Sequence, residues 1–152
     1  MDYLLAPDAI SGKEGKVIAS ISGRTRVCAE IKSFSAKIDK TKKEFKALNY
    51  RGTQHKSTGW VGTGAVTFYY VTSEWAKQVV KYAKTGQDEY FEMVVINEDP
   101  GSSSERQEVL LMQCNLDGAD VAKLDVEADW LDATFNFTFS DIDIPTQFTP
   151  LA

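Results

Sequence analysis

The residue types that most often carry catalysis or bind metal ions are few and scattered in this 152-residue sequence. The only histidine, His55, lies in a polar segment with no cysteine or carboxylate at a metal-binding spacing. Cys28 and Cys114 are far apart, and each lies in a strand-like pattern, so we expect buried thiols rather than a disulfide. The acidic residues between 117 and 132 do not match the spacing of a calcium loop. The sequence therefore predicts no catalytic site, no metal, no cofactor and no enzyme.

Three glycines, Gly59, Gly62 and Gly64, crowd one polar segment, as glycines do in phosphate-binding loops. A strand-like run follows them instead of a helix, so no helix N-terminus is available there to bind an anion. The basic segment 37–56 could contact nucleic acid, but it has few aromatic side chains for base stacking and belongs to a chain of net charge −5. The sequence therefore disfavours nucleotide and nucleic-acid binding.

The two halves of the sequence carry opposite charge. Residues 1–86 hold 15 Lys and Arg against 7 Asp and Glu, a balance of +8, whereas residues 87–152 hold 2 against 15, a balance of −13. These charges either cover two solvated faces or form the basic and acidic sides of a subunit that binds a copy of itself. Both alternatives stay open at the level of sequence.

Neither a signal peptide nor a membrane span is expected. The first ten residues lack the basic segment and long apolar run of a secretory signal. No run in the sequence reaches the roughly 18 apolar residues that a membrane helix needs. We therefore expect a protein that is made in the cytoplasm and does not insert into a membrane.

Period-two alternation of apolar and polar residues dominates the chain and predicts a mainly β fold in one domain, residues 1–152. The predicted strands cover residues 17–21, 26–38, 65–71, 90–97, 105–115 and 130–140, with a weak strand over 43–50. The apolar phase changes near Ser33, which indicates a bulge. Phe135, Phe137 and Phe139 alternate with polar residues and are expected to face the core.

One helix and one long hairpin are expected between these strands. Residues 73–85 begin at a Thr-Ser pair suited to an N-cap and end before Gly86, a common helix stop. The predicted apolar stripe of this helix comprises Trp75, Val79, Tyr82 and Ala83. Residues 39–64 predict a protruding hairpin, and its second part, residues 51–64, is expected to be an irregular loop.

Three segments of the sequence, in order along the chain, resemble the tail tube proteins of contractile-tailed phages. They are ISGKEGKV (10–17), GTQHKSTGWVGTGAVTFYYVTSEW (52–75) and DVEADWLDATFNFTFSDIDIPTQF (125–148). The family that they resemble is that of the XkdM-like tube proteins of the defective Bacillus phage PBSX. Tube proteins of phage-tail-like bacteriocins are similar, and the sequence does not separate the two uses.

The resemblance implies a structural subunit with a β-barrel or sandwich fold and one flanking helix. Six copies would form a ring, each lending about four strands to a shared inner barrel. The rings would stack into a hollow tube inside a sheath, with sheath, tape-measure and baseplate proteins as further partners and DNA as a transient passenger. Assembly would take place in the host cytoplasm, and the product would be a virion tail or a released tail-like particle.

The resemblance also implies roles for particular residues. The hairpin would contact an adjacent ring, where its basic residues would meet the acidic 87–132 surface of a neighbour. The candidates for this interface are Lys42, Lys43, Lys46, His55, Lys56 and Trp60. The candidates for the lumen are Glu30, Lys32, Glu108 and Gln113. The terminal segments 1–9 and 141–152 are expected to form extended arms.

Two other functions fit the sequence. A secretion tube subunit of the Hcp type would also form stacked rings. A monomeric β-domain would bind a small ligand or a carbohydrate, with Trp60, Tyr69 and Tyr70 as a stacking platform. The monomeric alternative differs from both tube readings because it predicts no self-association.

Overall fold

The computed structural model describes residues 4–150. Over this range the chain is mainly β, as the alternating pattern predicts, with one α-helix between the fourth and fifth strands. The elements are a 3-10 turn at Ala6–Asp8, β1 (Gly15–Ile21), β2 (Arg24–Val27), β3 (Ile31–Phe45), β4 (Gln54–Tyr69), α1 (Glu74–Thr85), β5 (Phe91–Glu98), β6 (Arg106–Leu116), β7 (Asp132–Phe139) and β8 (Asp141–Thr146). Within residues 4–150, no helix has the length and apolar character needed to cross a bilayer.

All strand pairs are antiparallel and follow the order β2-β1-β5-β6-β7-β4-β3, with β8 paired to β6. The sheet folds into two parts that share β6. We call β7, β4, β3 and the last two residues of β6 the hairpin layer. We call β2, β1, β5, β8 and the rest of β6 the short-strand layer. Side chains of both parts meet in one hydrophobic core, so the two layers pack face to face.

A bulge in β6 allows this strand to serve both layers. Phe91 pairs with Cys114 and Met93 pairs with Leu111, so two residues of β6 stand opposite one residue of β5. One of the two, Gln113, has a left-handed backbone with a φ of 54°. An extra residue of this kind bends a strand. Beyond the bulge, β6 leaves β5 and pairs with β7.

The core is built from alternate residues of the facing strands. Phe135, Phe137 and Phe139 of β7 are all buried, which confirms the prediction made from their spacing. Met93 and Leu111 of the short-strand layer are each 0% exposed and belong to the same cluster. Because β7 turns its phenylalanines inward, the intervening polar residues of this strand lie on the outer face of the hairpin layer.

Helix α1 begins and ends close to the predicted positions. The backbone N–H of Glu74 donates a hydrogen bond to Thr72 Oγ1 at 3.3 Å. Gly86 ends the helix with a left-handed backbone, and its N–H donates to the Tyr82 carbonyl at 2.8 Å. The glycine at the end of the helix therefore acts as the sequence indicates, whereas at the beginning Thr72 accepts the hydrogen bond and the N-cap residue Ser73 makes no side-chain capping bond.

The buried face of α1 is narrower than the predicted stripe. Trp75 is buried between the two layers, with its ring centre 5.8 Å from that of Phe91 and 4.8 Å from that of Phe135. The later members of the stripe, Tyr82 and Ala83, are exposed. The first half of the helix lies against the sheet, whereas the second half leaves it.

The strand predicted over residues 26–38 is interrupted. β2 ends at Val27, and the chain turns before β3 begins. The N–H of Cys28 donates to the Val17 carbonyl at 2.8 Å, and Cys28 is buried while Val27 is 53% exposed. The bulge expected near Ser33 is confirmed by a register shift between β3 and β4 immediately before this residue.

The loop predicted over residues 51–64 is wrong, because most of this segment belongs to β4. Its glycines resemble turn residues, yet Gly62 and Gly64 lie directly opposite Phe139 and Phe137 of β7. A Cβ atom at Gly64 would lie 2.6 Å from Phe137 Cε1, so the glycine makes room for the ring. This part of β4 is extended, and glycines stand at positions 62 and 64 because the rings of Phe139 and Phe137 occupy the space that a side chain would fill.

The terminal segments of the described range pack on the subunit itself. Residues 141–146 form β8, which pairs with β6, so this part of the expected C-terminal arm is a strand of the sheet. Near the other end, the N–H of Ser103 donates to the Pro7 carbonyl at 2.9 Å. Residues 1–3 and 151–152 of the two expected arms lie outside the described residues.

Candidate assembly surfaces

The hairpin of β3 and β4 continues past the rest of the sheet. β7 pairs with β4 only from Gly62 onward. Within the described chain, residues 39–45 therefore pair only with the 54–61 segment of β4. Eight extended residues span about 26 Å, and most side chains of this part are exposed. We call residues 39–61 the ribbon. An isolated two-stranded ribbon is only marginally stable, which makes this segment a candidate for contact with another molecule.

All six interface candidates lie on the ribbon. Lys42 and Lys43 are on β3, Lys46 is in the turn, and His55, Lys56 and Trp60 are on β4. Lys43 stands directly opposite Lys56, and neither belongs to an ion pair within residues 4–150. Like charges at opposed positions destabilise a strand pair. The ribbon thus carries positive charge that its own subunit does not balance.

The ribbon also exposes large apolar side chains. Leu48 in its turn is 96% exposed, and the nearby Phe45 and Tyr50 are 45% and 58% exposed. Trp60 is 43% exposed, and its ring centre lies 6.2 Å from that of Phe139. Trp60 therefore covers one edge of its own core and still presents part of its ring to the surface.

A second surface is acidic. Residues 117–131 connect β6 to β7 without regular secondary structure and carry five Asp and Glu. Leu124 and Val126 in this segment are 97% and 100% exposed. The cation of the segment, Lys123, donates a hydrogen bond to the Asp132 carbonyl at 2.6 Å. This surface combines negative charge with exposed aliphatic groups and complements the ribbon in charge.

Glu30, one of the lumen candidates, is buried within the subunit. Its side chain is 6% exposed and accepts two hydrogen bonds from the Arg26 guanidinium, at 2.7 and 3.1 Å. Burial acts to raise the pKa of this carboxyl, but the hydrogen bonds and charge of Arg26, together with the Glu30 backbone and the Trp75 side chain, outweigh burial and lower the pKa. The turn after β2 shifts the alternation and directs the carboxylate inward. Within its own subunit Glu30 therefore does not present its carboxylate on the outer polar side of the strand, on which the lumen prediction rests.

The other three lumen candidates lie in different parts of the fold. Lys32 lies on the outer face of the hairpin layer, where its Nζ is 3.3 Å from Asp132 Oδ2. Glu108 lies on β6 in the short-strand layer and forms an ion pair with Arg106. Gln113 is the exposed bulge residue at which β6 bends. These side chains do not form one continuous surface.

A polar face that was not predicted as a unit covers the outside of the hairpin layer. Its uncharged residues are Ser33, Ser35, Thr63, Ala65, Thr67, Thr134, Asn136 and Thr138. Two lysines on this face, Lys32 and Lys37, each have Nζ 3.3 Å from a carboxylate oxygen. The alternation in the β7 sequence predicts which residues of β7 face outward. The residues of β3 and β4 that join them can be identified only from the register of the three strands. We call this surface the polar face.

The hairpin layer is open at both sides. β3 is the last strand of the sheet, so its outer edge of 15 residues has no ladder partner within residues 4–150. On the other side, β6 pairs with β7 only at Phe137 and Thr138. Unpaired N–H and C=O groups along such edges pair readily with a strand from another chain.

Both cysteines are buried free thiols, as their pattern predicts. Burial raises the pKa of Cys28 to about 11 and that of Cys114 to about 12. Thiols with such pKa values are protonated at neutral pH and are poor nucleophiles. Among residues 4–150, no group of three His, Cys, Asp or Glu side chains is placed to hold a metal ion.

Two curated relatives match nearly the whole chain. The uncharacterized protein YqbM of Bacillus subtilis strain 168 is 40% identical over 144 residues, which cover 95% of this chain and 95% of YqbM. The phage-like element PBSX protein XkdM of the same strain is 38% identical over 146 residues, which cover 96% of this chain and 97% of XkdM. The similarity to XkdM confirms the resemblance noted in the sequence.

Solved structures with a similar fold come from injection particles and phage tails. The PVC sheath/tube terminator of an extracellular contractile injection system has a TM-score of 0.69 at 8% identity, over 93% of this chain and 100% of that chain. The six-fold symmetrised baseplate of the anti-feeding prophage has a TM-score of 0.66 at 11% identity, over 92% of this chain and 97% of that chain. The SPP1 tail tube has a TM-score of 0.63 at 9% identity, over 90% of this chain and 78% of that chain. At these identities the likeness concerns the fold alone.

The Hcp alternative shares this fold at lower similarity. Hcp1 from Flavobacterium johnsoniae has a TM-score of 0.51 at 12% identity, over 88% of this chain and 98% of that chain. The family match decides between the alternatives, since the model described as phage tail tube protein matches residues 2–146. Together with the identity to XkdM along the same span, this match shows that the chain belongs to the phage tail tube protein family.

Proposed function

We propose that this chain is the inner-tube subunit of a contractile tail, in a phage or in a phage-tail-like bacteriocin, and that six copies form each ring of the tube. The observation that carries this proposal is the free outer edge of β3, which is 15 residues long. A long open edge is an aggregation hazard in a monomer. In a closed ring the same edge is a joint, because a neighbouring strand satisfies its hydrogen-bonding groups.

Edge-to-edge pairing of hairpin layers would close the ring. β3 stands at one side of this layer, and the largely uncovered edge of β7 stands at the other. Each hairpin layer contributes three strands, β3, β4 and β7, and the end of β6 adds part of a fourth. Six such layers, with strands spaced about 4.8 Å and tilted about 45°, close at a diameter of about 40–50 Å. Side chains reduce the opening to roughly 30–40 Å, which admits a DNA duplex. The six-fold baseplate with a related fold supports this number of copies.

The polar face would line the lumen of such a ring. The short-strand layer and α1 cover the opposite face of the hairpin layer, and six copies of them need the space outside the ring. Lys32 then faces the passage together with Lys37, and each lies beside a carboxylate. Paired cations bind phosphates weakly, so a DNA passenger would slide past them. In this arrangement Glu108 lies outside the passage.

The ribbon would join one ring to the next. It extends about 26 Å beyond the sheet and carries lysines that have no ion-pair partner among residues 4–150, Lys42 and Lys43 among them. The acidic 87–132 surface of a neighbouring copy would supply the opposite charge. This contact would also cover the exposed apolar side chains near the turn of the ribbon.

The remaining partners follow from the same role. We propose sheath, tape-measure and baseplate proteins as further partners, and DNA as a transient passenger when the particle is a phage. The subunit would assemble in the host cytoplasm and remain in the virion tail or in the released particle. The whole chain, residues 1–152, would act as one structural domain without a reaction of its own.

Charge reversal on the ribbon tests the proposed polymer. The triple variant Lys42→Glu, Lys43→Glu, Lys46→Glu should remain folded but fail to form sedimenting polymer, because like charges would then face the acidic surface. Circular dichroism reports folding, and ultracentrifugation reports polymer. Tubes of normal length from this variant would refute the proposed contact.

A matched variant controls for the change in net charge. Lys13, Lys16 and Arg24 are exposed cations that lie outside the ribbon and outside α1, and replacing all three by Glu alters net charge by the same amount. This control should polymerise like the wild type, since these residues belong to neither the ribbon nor the acidic surface. Equal loss of polymer in both variants would mean that net charge, rather than the ribbon contact, controls assembly.

A further inference from the structure

A cavity of about 310 Å³ opens beside α1, next to the beginning of β5 and the end of β6. Gln78 and Tyr82 line it from the helix. Asp88 and Glu89 line it from the segment before β5, and Asp117 lines it from the segment after β6. The cavity is separate from the ribbon and from the free edge of β3, and Asp117 lies between it and the polar face.

Gln78 lacks hydrogen-bond partners at this place. It is 7% exposed, and neither its amide oxygen nor its amide nitrogen has a partner within residues 4–150. Buried amides are nearly always hydrogen-bonded, because an unpaired one loses its hydration without compensation. The side chain therefore indicates a polar partner that residues 4–150 of one copy do not supply.

The cavity also carries negative charge. Asp88, Glu89 and Asp117 take part in none of the ion pairs within the described residues. The Glu89 carboxylate accepts a hydrogen bond from the Ser22 hydroxyl, which holds it in place. The Tyr82 ring is 52% exposed and offers an aromatic face to a cation. These features together fit an ammonium or guanidinium group.

We propose that this cavity receives a lysine or arginine side chain from the ribbon of a neighbouring copy. The three carboxylates would balance its charge, and the Gln78 amide oxygen would accept one of its hydrogen bonds. The ribbon presents six exposed cations, and the proposed donors are the three that lie together near the end of β3, namely Lys42, Lys43 and Lys46. The inference rests on the proposed tube, and it identifies this cavity as the place on one ring that receives the ribbon of the next ring. We call the cavity the socket.

Charge reversal in the cavity is the first test. The double variant Asp88→Lys, Asp117→Lys should raise the critical concentration for polymerisation by about tenfold or more, because two cations would then occupy the socket. The control Asp141→Lys, Asp143→Lys changes two exposed acidic residues of β8, outside the cavity and outside the acidic 87–132 surface, and should polymerise normally. Equal effects in the two variants, measured by sedimentation, would overturn the proposal.

A charge swap identifies the occupant. The cavity variant is combined in one chain with Lys42→Asp, Lys43→Asp and Lys46→Asp, so that socket and ribbon exchange signs. Tubes should return in electron micrographs, because opposite charges again face each other. If the swapped chain is folded by circular dichroism and still forms no tubes, the ribbon is not the occupant and the proposal fails.

Gln78→Met separates assembly from folding. Methionine fills a similar volume without the unpaired amide, so the melting temperature of the unassembled subunit should stay unchanged or rise. The critical concentration for polymerisation should nevertheless increase. A fall in melting temperature without a change in assembly would overturn the inference.

The controls also separate the cavity from the tube itself. Wild-type protein that forms no tubes would contradict the proposed function. Wild-type tubes together with normal tubes from every cavity variant would overturn only the inference about the cavity.

Discussion

At the scale of single residues, the pair of Arg26 and Glu30 connects β2 to the core. The Arg26 guanidinium lies 5.6 Å from the centre of the Trp75 ring, and its hydrogen bond with Glu30 raises its pKa. The Glu30 side chain has little contact with water. Removing one partner would leave the other charge poorly compensated.

We expect part of the acid sensitivity of the subunit to come from Glu30. The pKa of this carboxyl is lowered from 4.5 by folding, so the unfolded chain binds the proton first as the pH falls. The stabilisation is present above about pH 4.5 and is lost as the pH falls through the folded-state pKa. Denaturant unfolding between about pH 7 and pH 3 should show a shallower loss of stability in Glu30→Gln than in the wild type. Parallel curves would contradict this role.

Gly64 has a steric role that a second variant can measure. An added Cβ would lie 2.6 Å from Phe137 Cε1 and 2.8 Å from the Ser35 carbonyl oxygen. Gly64→Ala should therefore lower the free energy of unfolding by about 1–3 kcal/mol. The control Gly59→Ala meets no atom within 4 Å and should change it by less than about 0.5 kcal/mol. Similar losses in both variants, from denaturant titrations, would argue against the packing described.

At the scale of elements, Trp75 holds α1 against both layers. Its ring contacts Phe91 in the short-strand layer and Phe135 in the hairpin layer. Trp75→Ala should cost about 3–5 kcal/mol of unfolding free energy, the range for deleting a large core aromatic. Tyr82→Ala, at the exposed end of the same helix, should cost less than about 1 kcal/mol. Thermal and denaturant unfolding measure both, and a small effect of Trp75→Ala would show that α1 is not required to join the layers.

The elements with a regular local period could be predicted from the sequence. β7 and α1 were placed to within two residues, because β7 alternates cleanly and α1 ends at a glycine with a left-handed backbone. The end of β4 falls in the strand predicted over residues 65–71, but its first part, residues 54–64, could not be predicted, because Gly62 and Gly64 resemble turn residues until the rings of β7 are known to lie over them. The break after Val27 depends on a hydrogen bond to β1, which no local pattern reveals.

The surfaces also differ in whether the sequence alone reveals them. The ribbon could be recognised from composition, because lysines are almost never buried in a hydrophobic core unless they are paired. The polar face and the α1 cavity could not be recognised, because each joins residues far apart in the sequence. Ser35 and Asn136 share a face only through the register of β4, and Gln78 meets Asp117 only in the fold.

At the scale of the whole molecule, a basic ribbon and an acidic surface occupy different regions of one subunit. Interactions between exposed charges are screened as the Debye length falls from about 10 Å at 0.1 M salt to about 3 Å at 1 M. The critical concentration for polymerisation should therefore rise over this range, by about tenfold if charge governs the contact between rings. Sedimentation at fixed temperature measures it. An unchanged or lower value in high salt would assign assembly to strand pairing and apolar contacts instead.

Electron microscopy of the concentrated wild-type protein tests most directly whether the free edge of β3 joins copies into a ring. We expect hollow rods whose end views are rings of six subunits around an opening of roughly 30–40 Å. A protein that sediments as single subunits at every concentration, with no rings or rods in the micrographs, would contradict the account.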